Sequence, residues 1–169
     1  LPITIPRSTG QIQCMYNHKF TNHWFPYATG NSLPLYEFGY GLSYTTYKYE
    51  NLKLSEATIT PDKSVKVTVD VTNTGKMDGE ETVQLYIRDE YSSATRPVKE
   101  LKDFARIPLK AGETKEVSFT LTPEMLSYYD ANMHYGAEKG TFKIMVGASS
   151  RDTDLQSIIP VSYTHLRAH

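Results

Sequence analysis

From Ser64 to Thr72 the chain alternates without a break: Val65, Val67, Val69 and Val71 fall on one side, Lys66, Thr68, Asp70 and Thr72 on the other. A period of two with β-branched residues on its apolar side dictates a strand buried on one face, and it excludes a helix, whose stripe follows a longer period. Asn73-Thr74-Gly75 ends the run. Val83, Leu85 and Ile87 then alternate with Thr82, Gln84 and Arg88, Val117, Phe119 and Leu121 with polar neighbours, and Phe142, Ile144 and Val146 repeat the pattern. A last strand is expected at Gln156 to Val161. Between Val98 and Leu109 the spacing of Leu101, Phe104 and Ile107 breaks period two, which predicts a bulged strand, and Pro108 predicts an edge position. Tyr47 and Tyr49 share one parity and Leu52 and Leu54 the other, so one irregularity is expected between them. Pro123 to Leu126 reads as a single helical turn.

About seven half-apolar antiparallel strands must be packed face to face, which predicts an all-β, two-sheet sandwich of the fibronectin III or immunoglobulin kind over residues 43–161. With 169 residues such a core needs no staples, and the one cysteine, Cys14, forms no internal disulfide. Residues 1–42 differ: prolines and scattered aromatics without sustained periodicity read as an irregular connector that wraps along the sandwich or belongs to a neighbouring domain. Leu1 to Pro6 has the makings of one strand, and Tyr44 and Tyr47 are expected to anchor the entry into the sandwich. Residues 162–169 read as a frayed end or a non-native extension.

The net charge of -1 argues against a nucleic-acid partner or an electrostatically held membrane face, and no apolar run is long enough for a membrane-spanning helix. Glycines are dispersed at turns, so no nucleotide loop or other cofactor site is expected. His18, His23 and His134 form no ligand motif, so no metal site is expected. The start at Leu1-Pro2-Ile3 carries neither an initiator Met nor a basic-then-apolar leader, and the chain is read as beginning mid-protein, with its compartment open.

Phe38-Gly39-Tyr40-Gly41-Leu42-Ser43-Tyr44-Thr45, preceded by Pro34-Leu35-Tyr36, resembles the junction into the C-terminal domain of family 3 glycoside hydrolases, the β-glucosidase and β-xylosidase group. The resemblance continues through Asn73-Thr74-Gly75, Pro97-Val98-Lys99-Glu100-Leu101, Ser127-Tyr128-Tyr129-Asp130 and Val146-Gly147-Ala148-Ser149-Ser150, nearly to Val161. Leu1 to Gly10 and Tyr16-Asn17-His18-Lys19 look like the last strand and exit loop of that family's α/β domain. After Lys19 the chain departs from the family pattern, with Phe20-Thr21-Asn22-His23-Trp24 where Pro-Thr-Gly is usual.

The resemblance implies a nucleophilic Asp on an upstream barrel and an acid/base residue in an upstream domain, so the chain alone is expected to be inactive and to partner those domains of its own polypeptide. Glycoside hydrolysis needs two carboxyl groups across the sugar. Here Glu80 and Glu81 point to opposite faces of a strand, and Asp152 and Asp154 read as solvated charges beside Arg151. Asn17, His18, Lys19, Trp24, Tyr40, Tyr128 and Tyr129 are the candidate cleft or interdomain contacts. One of the Tyr128-Tyr129 pair is expected in the core and its neighbour near a seam. Two other functions stay open: a carbohydrate-binding module for β-linked oligosaccharides using Trp24, Tyr91, Tyr128, Tyr129 and Tyr135, or a surface-interaction sandwich.

Overall fold

The computed structural model describes residues 1–11, 14–19 and 33–164, with backbone alone at 159 and 160. Its strands are β1 (Tyr47–Leu54), β2 (Thr58–Ile59), β3 (Val65–Asn73), β4 (Gly79–Asp89), β5 (Glu100–Leu109), β6 (Thr114–Leu121), β7 (Tyr128–Tyr129), β8 (Tyr135–Gly136), β9 (Gly140–Gly147) and β10 (Leu155–Tyr163). One short helix, α1 (Pro123–Leu126), follows β6. A three-stranded sheet in the order β1-β3-β6 packs on a five-stranded sheet in the order β2-β10-β9-β4-β5, and β7 and β8 form a separate hairpin. The architecture is the all-β sandwich that the alternation requires.

Its core is the meeting of the apolar parities. Val65, Val67, Val69 and Val71 of β3 are fully buried against Val83, Leu85 and Ile87 of β4 and Phe142, Ile144 and Val146 of β9, with Phe119 and Leu121 of β6 closing the layer. Each such side chain stabilises by roughly 1.5–3 kcal/mol relative to exposure, before the entropy of ordering is set against it.

The irregularities fall where parity demands them. β1 changes register against β3 between Glu50 and Lys53, and Asn51 sits there with φ 54°, a conformation that Asn tolerates better than most residues. β5 changes register opposite Leu85 and Tyr86 and is an edge strand, so Pro108 removes no donor needed by an inner neighbour.

Three local expectations are corrected. Tyr44 is 96% exposed and anchors nothing; the entry is held instead by Thr45, whose hydroxyl donates to Asn73 Oδ1 at 2.5 Å. Asn73 Nδ2 in turn donates to the Met77 and Leu109 carbonyls, and its Oδ1 also accepts the Gly75 N–H, so this buried amide is fully used. Gly75 is required because a Cβ there would overlap the Thr45 hydroxyl. Leu1 to Pro6 contributes a single bridge, Ile5 to Tyr36, rather than a strand. The last strand runs two residues beyond Val161, and Tyr163 is a core residue at 4% exposure, so Ser162 and Tyr163 belong to the sheet and not to the tail.

Candidate functional site

β4 is buried continuously from Val83 to Ile87. Its inward residues meet the core, while Gln84 and Tyr86 point the other way and still lie out of water, at 4% and 0% exposure. Tyr86 is paired across the strands with Met145 of β9, which is 3% exposed. The connector covers Gln84 and Tyr86. Tyr16 sets its ring edge-on to Tyr86 with centroids 5.9 Å apart and stacks on Phe38 at 4.2 Å. Tyr86 donates to Gln84 Oε1 at 2.6 Å, and Gln84 Nε2 donates to the carbonyls of Gly39 at 3.1 Å and Ala148 at 2.6 Å. Gly39 is required twice over: its φ is +82°, and a Cβ there would overlap the Gln84 amide. Gly41 faces open space, and Tyr40 is half-buried.

Polar contacts fix the connector from the β9–β10 loop. Arg151 donates through Nε and Nη2 to Glu37 Oε2 at 3.0 and 2.7 Å, and its guanidinium lies 5.5 Å from the centre of the Tyr40 ring, which itself stacks on Tyr36. The Ser150 N–H donates to the Phe38 carbonyl. Farther along, the Val98 N–H donates to the His18 carbonyl, Lys19 bridges Pro97, and the Leu101 N–H donates to Tyr16 Oη at 3.3 Å. Burial, then Glu37, raises the Cys14 thiol pKa above its ordinary value.

Between Leu1–Pro2, the Phe38–Ser43 stretch and the near end of β4 lies an open cleft of about 380 Å³ that reaches Glu80, Glu81 and Asp154. Glu80 faces outward and pairs with Arg106, whereas Glu81 faces inward and accepts the Tyr49 hydroxyl at 2.7 Å, tying the two sheets together. Burial holds Glu81 above the usual carboxylate range against the opposing pull of that hydrogen bond, and Asp154 adds to the rise. Burial, then Glu81, raises the Tyr49 phenol strongly. Asp152 is solvated, as expected, beside Lys99. Asp154 is not: it is half-buried and accepts the Ser149 hydroxyl at 2.7 Å.

At the far end of the sheet, the loop from Arg88 to Val98 borders a second cavity of about 470 Å³. Arg96 lies 4.3 Å over the Tyr128 ring and pairs with Glu100 at 2.7 Å. Asp89 Oδ1 and Arg96 Nε are buried there without a hydrogen-bond partner. Burial lifts the Asp89 pKa to about 6, against the opposing effect of Arg96.

The sequence candidates therefore separate. Asn17, His18 and Lys19 run along the outer face, with Asn17 and Lys19 exposed and the His18 ring half-buried, and Tyr40 closes the near end. Tyr128 is buried under Arg96, while Tyr129, 60% exposed, pairs with Tyr135 on the hairpin. Trp24 and His23 lie outside the described residues. Among those residues no cluster of three His, Cys, Asp or Glu side chains suits a metal ion, and no helix is long and apolar enough to cross a membrane. Sequence reasoning missed Tyr16, Glu37, Gln84, Tyr86 and Arg151. The available signal was Ile144-Met145-Val146, a continuous apolar run that marks a strand covered on both faces.

Residues 81–150 match the family model of the fibronectin type III-like domain. The chain carries a fibronectin type III-like domain of the kind found in family 3 β-glucosidases and β-xylosidases. It is 45% identical over 152 residues to a putative β-xylosidase of Formosa agariphila, covering 90% of this chain and 20% of the relative. It is 44% identical over 163 residues to a periplasmic β-glucosidase of Salmonella typhimurium, covering 89% and 21%. A solved β-glucosidase from Erythrobacter marinus superposes with a TM-score of 0.89 at 39% identity, covering 97% of this chain and 21% of that one. The chain thus spans about one fifth of the length of the curated relatives it matches.

Proposed function

We propose that this chain is the noncatalytic C-terminal accessory domain of a β-glycosidase that hydrolyses O-glycosyl bonds, with the end of the preceding α/β domain laid against it. Its role is to stabilise the parent enzyme and help frame the cleft. The observation that carries this reading is the outer face of the five-stranded sheet, where Gln84 and Tyr86 are buried under residues drawn from the start of the chain. A sandwich that closed only on itself would leave that face polar and wet. Here it is a docking surface for the segment that leads in from upstream, so the position of that segment and the stability of the sandwich are linked.

Two measurements test it. Removing Ser43 to Tyr163 from the complete polypeptide should lower its thermal midpoint or soluble yield together with its turnover of aryl β-glucosides or β-xylosides, and unchanged stability and turnover would reject the accessory role. The purified 169-residue chain should show no turnover, and turnover comparable to the parent would reject the noncatalytic assignment.

A further inference from the structure

Among the described residues the large apolar side chains left in water comprise single ones on the sandwich, Met77, Tyr91 and Phe104, and two groups. Leu1, Ile3, Leu35, Leu42 and Tyr44 belong to the connector and its junction with the sandwich. The other group sits on the β7–β8 hairpin, joined to the far end of the sheet, where Tyr129 and Tyr135 are direct cross-strand partners, each 60% exposed, with ring centroids 5.0 Å apart and planes inclined by 50°. Gln84 and Asp89, which mark the two ends along β4, are five residues and so about 17 Å apart.

We propose that the Tyr129–Tyr135 pair is a carbohydrate-binding site for a soluble β-linked pyranoside chain. The hairpin is ordered before any ligand arrives. Tyr128 on its inner side is clamped by Arg96 and lies 3.3 Å from the Ser93 hydroxyl, and Asp130 Oδ1 accepts the N–H groups of Asn132 and His134 at 2.8 and 2.9 Å, fixing the turn. Rings held this way lose little entropy on binding. Two ring faces offer far less than the roughly 800 Å² per partner of a stable protein interface, but they suit one or two sugar units. A pyranose with equatorial substituents presents axial C–H groups on its face, which an electron-rich aromatic face attracts, and hydroxyls at its rim, which the polar turn at Asn132 and His134 can meet.

The inclination of the rings selects among ligands. Coplanar rings would lie flat on a crystalline polysaccharide, whereas two rings inclined at 50° cannot both lie on one flat surface, which favours a single chain that can turn between them. The neighbouring carboxylates disfavour a polyanion such as nucleic acid: backbone hydrogen bonds keep the Asp130 pKa below its ordinary value, and the Ser93 side-chain bond does the same for Glu138. The same charges would attract a small organic cation over the rings, so choline is the competing ligand to exclude.

The test is titration of the 169-residue chain with cellohexaose and xylohexaose, followed by amide chemical-shift mapping. Saturable shifts confined to the hairpin and the adjoining loop are expected. Tyr129→Ala and Tyr135→Ala should each weaken binding by about tenfold or more, while Tyr129→Phe, which keeps the ring face, and Tyr44→Ala at the other end should leave it unchanged. No saturable binding at high millimolar sugar, shifts that avoid the hairpin, or equal affinity in Tyr129→Ala would each overturn the site. Binding of choline with none of the sugars would overturn the ligand class. Because the readout is binding by this chain and not activity of a parent enzyme, the accessory-domain reading stands or falls separately.

Discussion

On the inner face of β4, Val83, Leu85 and Ile87 meet valines and aromatics from the facing sheet; on the outer face Gln84 and Tyr86 are buried just as deeply, yet they meet two backbone carbonyls, each other and the Tyr16 ring. The dry face gains from area and is indifferent to direction. The outer face gains from hydrogen bonds, which specify where the connector lies: shift Gly39 by one residue and Gln84 Nε2 loses its carbonyl. The difference teaches that depth of burial alone does not say what a face is for. One face holds the fold and the other holds a register between two segments of chain.

The largest effect should come from the dry face. Leu85→Ala removes a fully buried side chain and is expected to cost about 2–5 kcal/mol, read as a shift in the urea midpoint with an unchanged slope. Gln84→Leu on the outer face is expected to cost less, about 1–3 kcal/mol, because it strands the Tyr86 hydroxyl and removes the donor to the Gly39 and Ala148 carbonyls. What sharpens the contrast is rescue: adding Tyr86→Phe to Gln84→Leu should recover part of the loss, while Leu85→Ala combined with Tyr86→Phe should recover nothing. Equal recovery in both backgrounds would show that the outer face works by area after all.

Much of this was legible in the sequence, and the boundary is physical. Alternation located β3, β4, β6 and β9, and the parity conflict around Asn51 and the proline of β5 located a bulge and an edge, because strand periodicity is a local property. The same rule put one of Tyr128 and Tyr129 in the core without saying which; it is Tyr128. What alternation could not show is cover from a distant segment: Gln84 and Tyr86 occupy outward positions, and Tyr16 and Gly39, far away in sequence, lie against them. Asp154 was misread for a related reason, since a short polar turn looks solvated until Ser149 and the Glu81–Tyr49 bond are found beside it. Tyr44 failed in the opposite sense: aromatic character suggested an anchor, but the buried amide of Asn73 chose the smaller Thr45.

The smallest effect, and the one that probes where the dry stripe ends, concerns pH. Continuing the inward parity of β4 in both directions reaches Glu81 at one end and Asp89 at the other, and burial raises both carboxyls. For Asp89 the folded pKa is about 6 against an ordinary 3.8, with Arg96 opposing the rise and Glu138 and Glu100 adding to it. A carboxyl raised on folding binds its proton more tightly in the native state, so its contribution to stability is full below the unfolded value and is lost as pH rises through the folded one. Asp89→Asn removes that titration. The stability of the variant relative to the wild-type chain should therefore climb as pH is raised from about 4 to about 7 and level off beyond, followed by thermal midpoints at each pH. A difference that stays flat across this range would place the Asp89 carboxylate in water, and the inner stripe of β4 would then end at Ile87.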